Sequence, residues 1–176
     1  MKKLISSILF LAATLTLSAQ DARQRTVETV VADVLAAMPA NNSSDLDTQM
    51  ADLAAAAPSS VVETAKMLKP AAEVVRNNLY EYALTGLANY VSANPACVDK
   101  VREGFSQAIK ITDDTNNKAL LLNLLRQIAK PADAQLFKEY VNDPALASTA
   151  VGALVDIPGT ENLILDLVKE GTADRR

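Results

Sequence analysis

The chain has 176 residues, 49% of them apolar and 22% charged, with a net charge of −4. That length allows one domain with a substantial core, and the acidic balance argues against nucleic acid or an anionic membrane as a partner. There is no histidine, which excludes Ser-His-Asp, Cys-His and His-Glu-x-x-His chemistry, and the 5 glycines form no phosphate-cradling motif.

The N-terminus reads as a secretory signal. Lys2 and Lys3 supply the charged region, residues 4–17 the apolar stretch, and Ser18-Ala19 a small-residue end before Gln20. The apolar stretch falls short of the roughly 20 residues that a membrane span needs. Cleavage after Ala19 would remove two lysines and no acids, taking the net charge from −4 to −6. A soluble exported protein, periplasmic or extracellular, is the expectation. Because position 20 is not cysteine, a lipid anchor is unsupported.

Residues 23–38 carry Val27, Val30, Val31, Val34 and Leu35 at amphipathic helical spacing, stopped by Pro39. A polar connector, residues 40–44, leads through a cap at Ser44-x-x-Asp47 into a helix with Met50, Leu53 and Ala54 that ends before Pro58. Ser60-Val61-Val62-Glu63 reads as a capping box for a short helix closed by Pro70, and Asn77-Asn78 as a joint. The next helix, residues 79–92, places Leu79, Tyr82, Ala83, Gly86, Leu87 and Tyr90 inward. Gly86 there implies close approach of a neighbouring helix. Asn94-Pro95 reads as a cap and first turn for the stripe Val98, Val101, Phe105, Ala108 and Ile109. Thr112-Asp113 opens a helix whose leucines and Ile128 are apolar nearly all round, the most buried helix expected. Pro131 and Asp133 precede Leu136, Phe137, Tyr140 and Val141; Asp143-Pro144 precedes Leu146, Ala150, Val151 and Leu154; and Pro158-Gly159 precedes Leu163, Ile164, Leu167 and Val168. All seven prolines fall at joints or first turns, so breakers and periodicity agree.

The triplet Met50, Leu53, Ala56 recurs as Leu84, Leu87, Tyr90, then Leu122, Leu125, Ile128, then Val151, Leu154, Ile157, each followed by a second helix. A period of roughly 30 to 38 residues is the pattern of an α-solenoid, in which each unit buries its apolar face on its neighbours. No strand-like alternation competes with it. The expectation is an all-α fold, about four antiparallel hairpins plus an N-terminal helix. Its segments are a signal over 1–19, a helix and connector over 20–43, repeats over 44–170 and a tail over 171–176.

On these residues the chain resembles the HEAT-like helical repeats over roughly residues 44–169. The resemblance implies a right-handed stack of hairpins with a scaffold or protein-interaction role and no intrinsic activity. The chain is also similar to exported bacterial proteins in which such repeats precede a 3-keto-disaccharide hydrolase domain of jelly-roll type. The second expectation is therefore the repeat region of a larger exported carbohydrate-active hydrolase, its catalytic domain absent from this sequence.

No catalytic, cofactor-binding or metal-ligating set is expected. Asp113-Asp114-Thr115-Asn116-Asn117 is rich in oxygen, but an EF-hand would need glycine and glutamate where Lys118 and Leu124 stand, so it reads as a helix cap. Glu73, Glu81, Asp99 and Glu103 lie on polar helix faces and, without tryptophan to stack a sugar, read as solvated rather than as a glycosidase pair. Cys97 is the sole cysteine, so no intrachain disulfide can form. Tyr80 points away from the inner face and could anchor a partner. Lys100, Arg102, Glu103, Gln107, Lys110, Lys138 and Glu139 line one broad polar face. The last hairpin lacks a polar covering helix, so its apolar end is expected to meet a protein partner, a following C-terminal domain or a second copy of the chain.

Overall fold

The computed structural model describes residues 25–70 and 77–173. The signal segment, Glu73 and the end of the tail lie outside the described residues. Within them the chain is all-α, with nine helices and no strand: α1 Val27–Ala36, α2 Ser43–Ala55, α3 Ser59–Lys66, α4 Asn78–Ala93, α5 Val98–Ile111, α6 Thr115–Ile128, α7 Ala134–Lys138, α8 Ala147–Asp156 and α9 Glu161–Ala173. All seven prolines stand outside these helices, two of them opening the short 3₁₀ turns Pro95–Cys97 and Pro131–Asp133.

Two contact rules hold the helices together. Most sequential helices pack on one another, and helices two apart do so as well: α1 on α3 and α3 on α5 in one layer, α2 on α4, α4 on α6 and α6 on α8 in the other. The repeated triplet supplies much of the second layer, for Met50, Leu53, Leu84, Leu87, Leu122, Leu125 and Leu154 are all buried. Helix α6 is apolar on three sides because α4, α5 and α8 all press on it. In the first layer Val61, Val101 and Phe105 fill the core, and Phe137 of α7 is buried where α7 packs on α8. Each such side chain contributes about 1.5 to 3 kcal/mol by leaving water.

Close approach between layers' neighbours is bought with glycine. A Cβ on Gly86 would sit 2.9 Å from the Met50 sulfur, so α2 lies tightly on α4 as the sequence suggests. The contact at Gly104 is stiffer, with Val61 Cβ at 2.7 Å and the Pro58 carbonyl oxygen at 2.8 Å.

The helix starts differ in detail from the sequence reading. Helix α2 is capped by Asn42, whose Oδ1 accepts from Asp45 N at 2.9 Å, and not from the Ser44 position. Ser60 is no cap. Its buried hydroxyl donates to the Leu53 carbonyl at 2.6 Å, because α3 begins directly after Pro58 and the hydroxyl lies inside the joint. Asn94 closes the preceding helix, its amide donating to Tyr90 O at 2.9 Å. Asp114 takes the cap of α6 from Asn117 N at 2.9 Å, while Thr112 bonds back to Ala108 O at 2.8 Å. Asp143 does cap its turn, accepting from Ala145 N at 2.9 Å.

The Asn77 joint is a clasp. Its amide accepts from Lys69 N and donates to Lys69 O, both at 2.8 Å, and Asn117 Nδ2 reaches the same carbonyl at 3.0 Å. Two of these contacts tie the ends of the α3–α4 connection to each other, and the third ties them to α6.

Candidate interaction surface

The polar face expected from α5 and α7 forms only in part. Lys100, Glu103, Gln107, Lys110 and Glu139 are exposed and Lys138 is half-buried. Arg102 is buried instead. Its Nε and one terminal nitrogen donate to the two oxygens of Asp133, each at 2.7 Å, and the other terminal nitrogen donates to Asp99 at 2.6 Å. Asp133 also accepts from Lys130 N at 2.8 Å, and Lys130 Nζ binds Asp99 at 2.6 Å. The bidentate pair ties α5 to the turn before α7, and it raises the guanidinium pKa, chiefly through the Asp133 bonds. The Lys130 and Arg102 hydrogen bonds hold the Asp99 carboxyl below its usual range. Sequence reading placed Arg102 on a solvated face because its partner is 31 residues away. One signal was available: Pro-Ala recurs at the starts of the two 3₁₀ turns, Pro95-Ala96 and Pro131-Ala132, which marks them as equivalent joints.

Of the candidate carboxylates, Glu73 lies outside the described residues and two of the others are engaged by neighbours. Asp99 is taken up by Lys130 and Arg102, and Glu103 accepts from Gln107 at 3.1 Å. Among the described residues no group of three or more His, Cys, Asp or Glu side chains is placed to hold a metal ion. No described helix is long and apolar enough to cross a membrane. Cys97 is half-buried in its 3₁₀ turn.

Two of the three tyrosines of α4, Tyr80 and Tyr82, exchange roles. Tyr80 is half-buried against the core, whereas Tyr82 is exposed. The buried set is Ala83, Leu84, Leu87, Ala88 and Val91, one position along from the expected stripe, and this turns Tyr82 outward. It borders a shallow groove of about 360 Å³ with Leu46, Glu81, Thr85 and Asn89.

The largest departure from burial lies at the other end. Val151, expected inside, is exposed, and so are Val155, Leu165 and Val168. The cause is the contact rule itself: among the described residues no helix covers α8 in the way that α8 covers α6. Between α8 and α9, Val141, Val151, Leu154, Ile164, Leu167 and Val168 line a groove of about 220 Å³. Beside it Tyr140 is half-buried with its hydroxyl pKa raised, first by burial and then by the charges of Glu139 and Asp143. Lys118 Nζ stands 5.6 Å from the centre of the Tyr140 ring. Comparison of the chain with protein-family models, curated proteins and solved structures returns no match.

Proposed function

We propose that this chain is an exported HEAT-like helical-repeat scaffold, without enzymatic activity of its own, that binds another protein through its last two helices. The stack of helices in contact with neighbours one and two positions away supports the repeat reading. The single observation that carries the functional part is the exposure of Val151, Val155, Leu165 and Val168 on adjoining helices. Scattered single apolar residues need no explanation, but Val151 and Val168 line one groove, with Val155 and Leu165 exposed on the same two helices. The residues 1–19 signal supports an exported setting.

The test is photo-cross-linking in the producing cell from Leu165, with Ala36 on α1 as the control at the opposite end of the stack. A discrete protein adduct from Leu165 and none from Ala36 supports the reading. Equal adducts from both, or none from Leu165, contradict it, as does turnover of a substrate by the purified mature chain.

The second reading, the repeat region of a larger exported carbohydrate-active hydrolase, is favoured by the same surface, since a catalytic domain could be what covers it. An open reading frame running on past Arg176 into a β-rich domain is its expected outcome, and a stop codon there removes it.

A further inference from the structure

We propose that the occupant of the α8–α9 groove is a basic amphipathic helix of a partner protein, docked by its apolar stripe and held in place by lysines or arginines over an acidic rim. This rests on the reading of the chain as an interaction scaffold and adds the partner's chemistry to it. The groove selects a helix for two reasons. Its walls are helical stripes, Val151 and Leu154 at i, i+3 from α8 and Ile164, Leu167 and Val168 at i, i+3, i+4 from α9, which accept the i, i+3, i+4 ridge of another helix. Every earlier helix of this layer is also covered by a helix two positions further on, so a docked helix continues the packing already present.

Charge selects the sign of the partner and separates it from a second copy. Over the described residues 134–171 there are six carboxylates, Glu139, Asp143, Asp156, Glu161, Asp166 and Glu170, against two lysines, Lys138 and Lys169. Asp156 is neutralised from α6 by Arg126, whose Nε lies 2.6 Å away, and Asp166 pairs with Lys169 at 3.1 Å. That leaves Glu139, Asp143, Glu161 and Glu170 against Lys138 on the elements around the apolar floor; Glu139 and Asp143 act on Tyr140 beside the groove, where Lys118 of α6 stands over the same ring, and the balance stays negative. Two copies meeting here would bring like charges together, whereas a basic helix meets complementary ones.

The experiment uses the whole mature chain and three synthetic peptides of about five helical turns. One carries a leucine stripe with lysines on its other face, the second the same stripe with glutamates, and the third the lysine composition with the leucines scattered off the stripe. Fluorescence anisotropy should show one-to-one binding of the striped lysine peptide alone, weakening as salt rises. Val151→Asn with Val168→Asn should weaken it about tenfold or more by cutting into the apolar contact, and Glu161→Lys should weaken it as well. These positions are exposed, and an unchanged thermal melt verifies folding. Equal binding of the striped glutamate peptide, equal binding of the scattered peptide, or indifference to the paired valine substitution would overturn the proposal. So would a dimer of the free chain that the same valine substitutions dissolve. If the lysine peptide fails while the Leu165 cross-link to a protein persists, the docking face stands and the basic helix is wrong; loss of both removes the two together.

Discussion

Replacing Asp133 by alanine strips three hydrogen bonds from one buried carboxylate: two from Arg102 at 2.7 Å each and one from Lys130 N at 2.8 Å. The Arg102 side chain is 10% exposed and that of Asp133 8%, so the guanidinium left behind is not rescued by bulk water. Breaking a buried pair by removing one partner costs about 3 to 5 kcal/mol. Asp99 keeps one arm of Arg102 at 2.6 Å and, although its own side chain is 71% exposed and partly screened, it softens the loss. The expected cost is therefore near the lower bound, about 3 kcal/mol. Urea unfolding followed by circular dichroism reads it directly, as a fall in midpoint of about 1 to 3 M for an m-value of about 1 to 3 kcal/mol/M. The paired change Arg102→Met with Asp133→Leu removes both charges and should recover at least half of the loss, since an apolar pair of similar volume often replaces a buried ion pair without penalty. A cost below about 1 kcal/mol for Asp133→Ala, or strict additivity in the double variant, would refute the assignment of this pair as the tie between α5 and the turn before α7.

Leu125→Asp should abolish the folded state, because α4, α5 and α8 surround α6 and Leu125 itself is fully buried, leaving the new charge without a partner; loss of the far-ultraviolet helical signal is the readout, and unchanged melting would contradict the core assignment. Gly104→Ala and Gly86→Ala should part company. Each gains about 1 kcal/mol in helix propensity, but at Gly104 the new methyl meets Val61 Cβ and backbone oxygen, costing about 1 to 3 kcal/mol, while at Gly86 it meets the end of the flexible Met50. Thermal melts should therefore show the first variant less stable than wild type and the second close to it. Asp99→Asn tests the ion pairs by pH. The folded carboxyl lies below its ordinary 3.8, so its contribution is present above that value and lost as pH falls through the folded pKa. Wild type should lose stability on acidification below about pH 4 more steeply than the variant, and parallel curves would show that the pairs contribute nothing.

Much of the fold was legible because its signals are local. Apolar periodicity and proline position are properties of ten or fifteen neighbouring residues, and they located the helices to within a turn. The face of α4 was not legible, since a stripe shifted by one residue rotates by 100° and the actual face is set by α2, α3 and α6 together. Caps were ambiguous wherever two or three polar residues stood in a row, as at Asn42-Ser43-Ser44 and Thr112-Asp113-Asp114, and the joint geometry decided between them. Arg102 needed a partner from the neighbouring turn, which no helical wheel contains. The open end was half legible: the apolar stripes of the last hairpin were visible, but Val151 was placed inside because its triplet matched three covered ones.

Amide hydrogen exchange on the isolated mature chain, resolved helix by helix, tests most directly the claim that the stack is closed along its length and open at α8 and α9. Protection should be greatest in α4, α5 and α6, intermediate in α8 and lowest in α9, with α9 slowing when the striped lysine peptide is added. Protection of α9 equal to that of α6 in the free monomer, or an α9 indifferent to the bound peptide, would contradict the account.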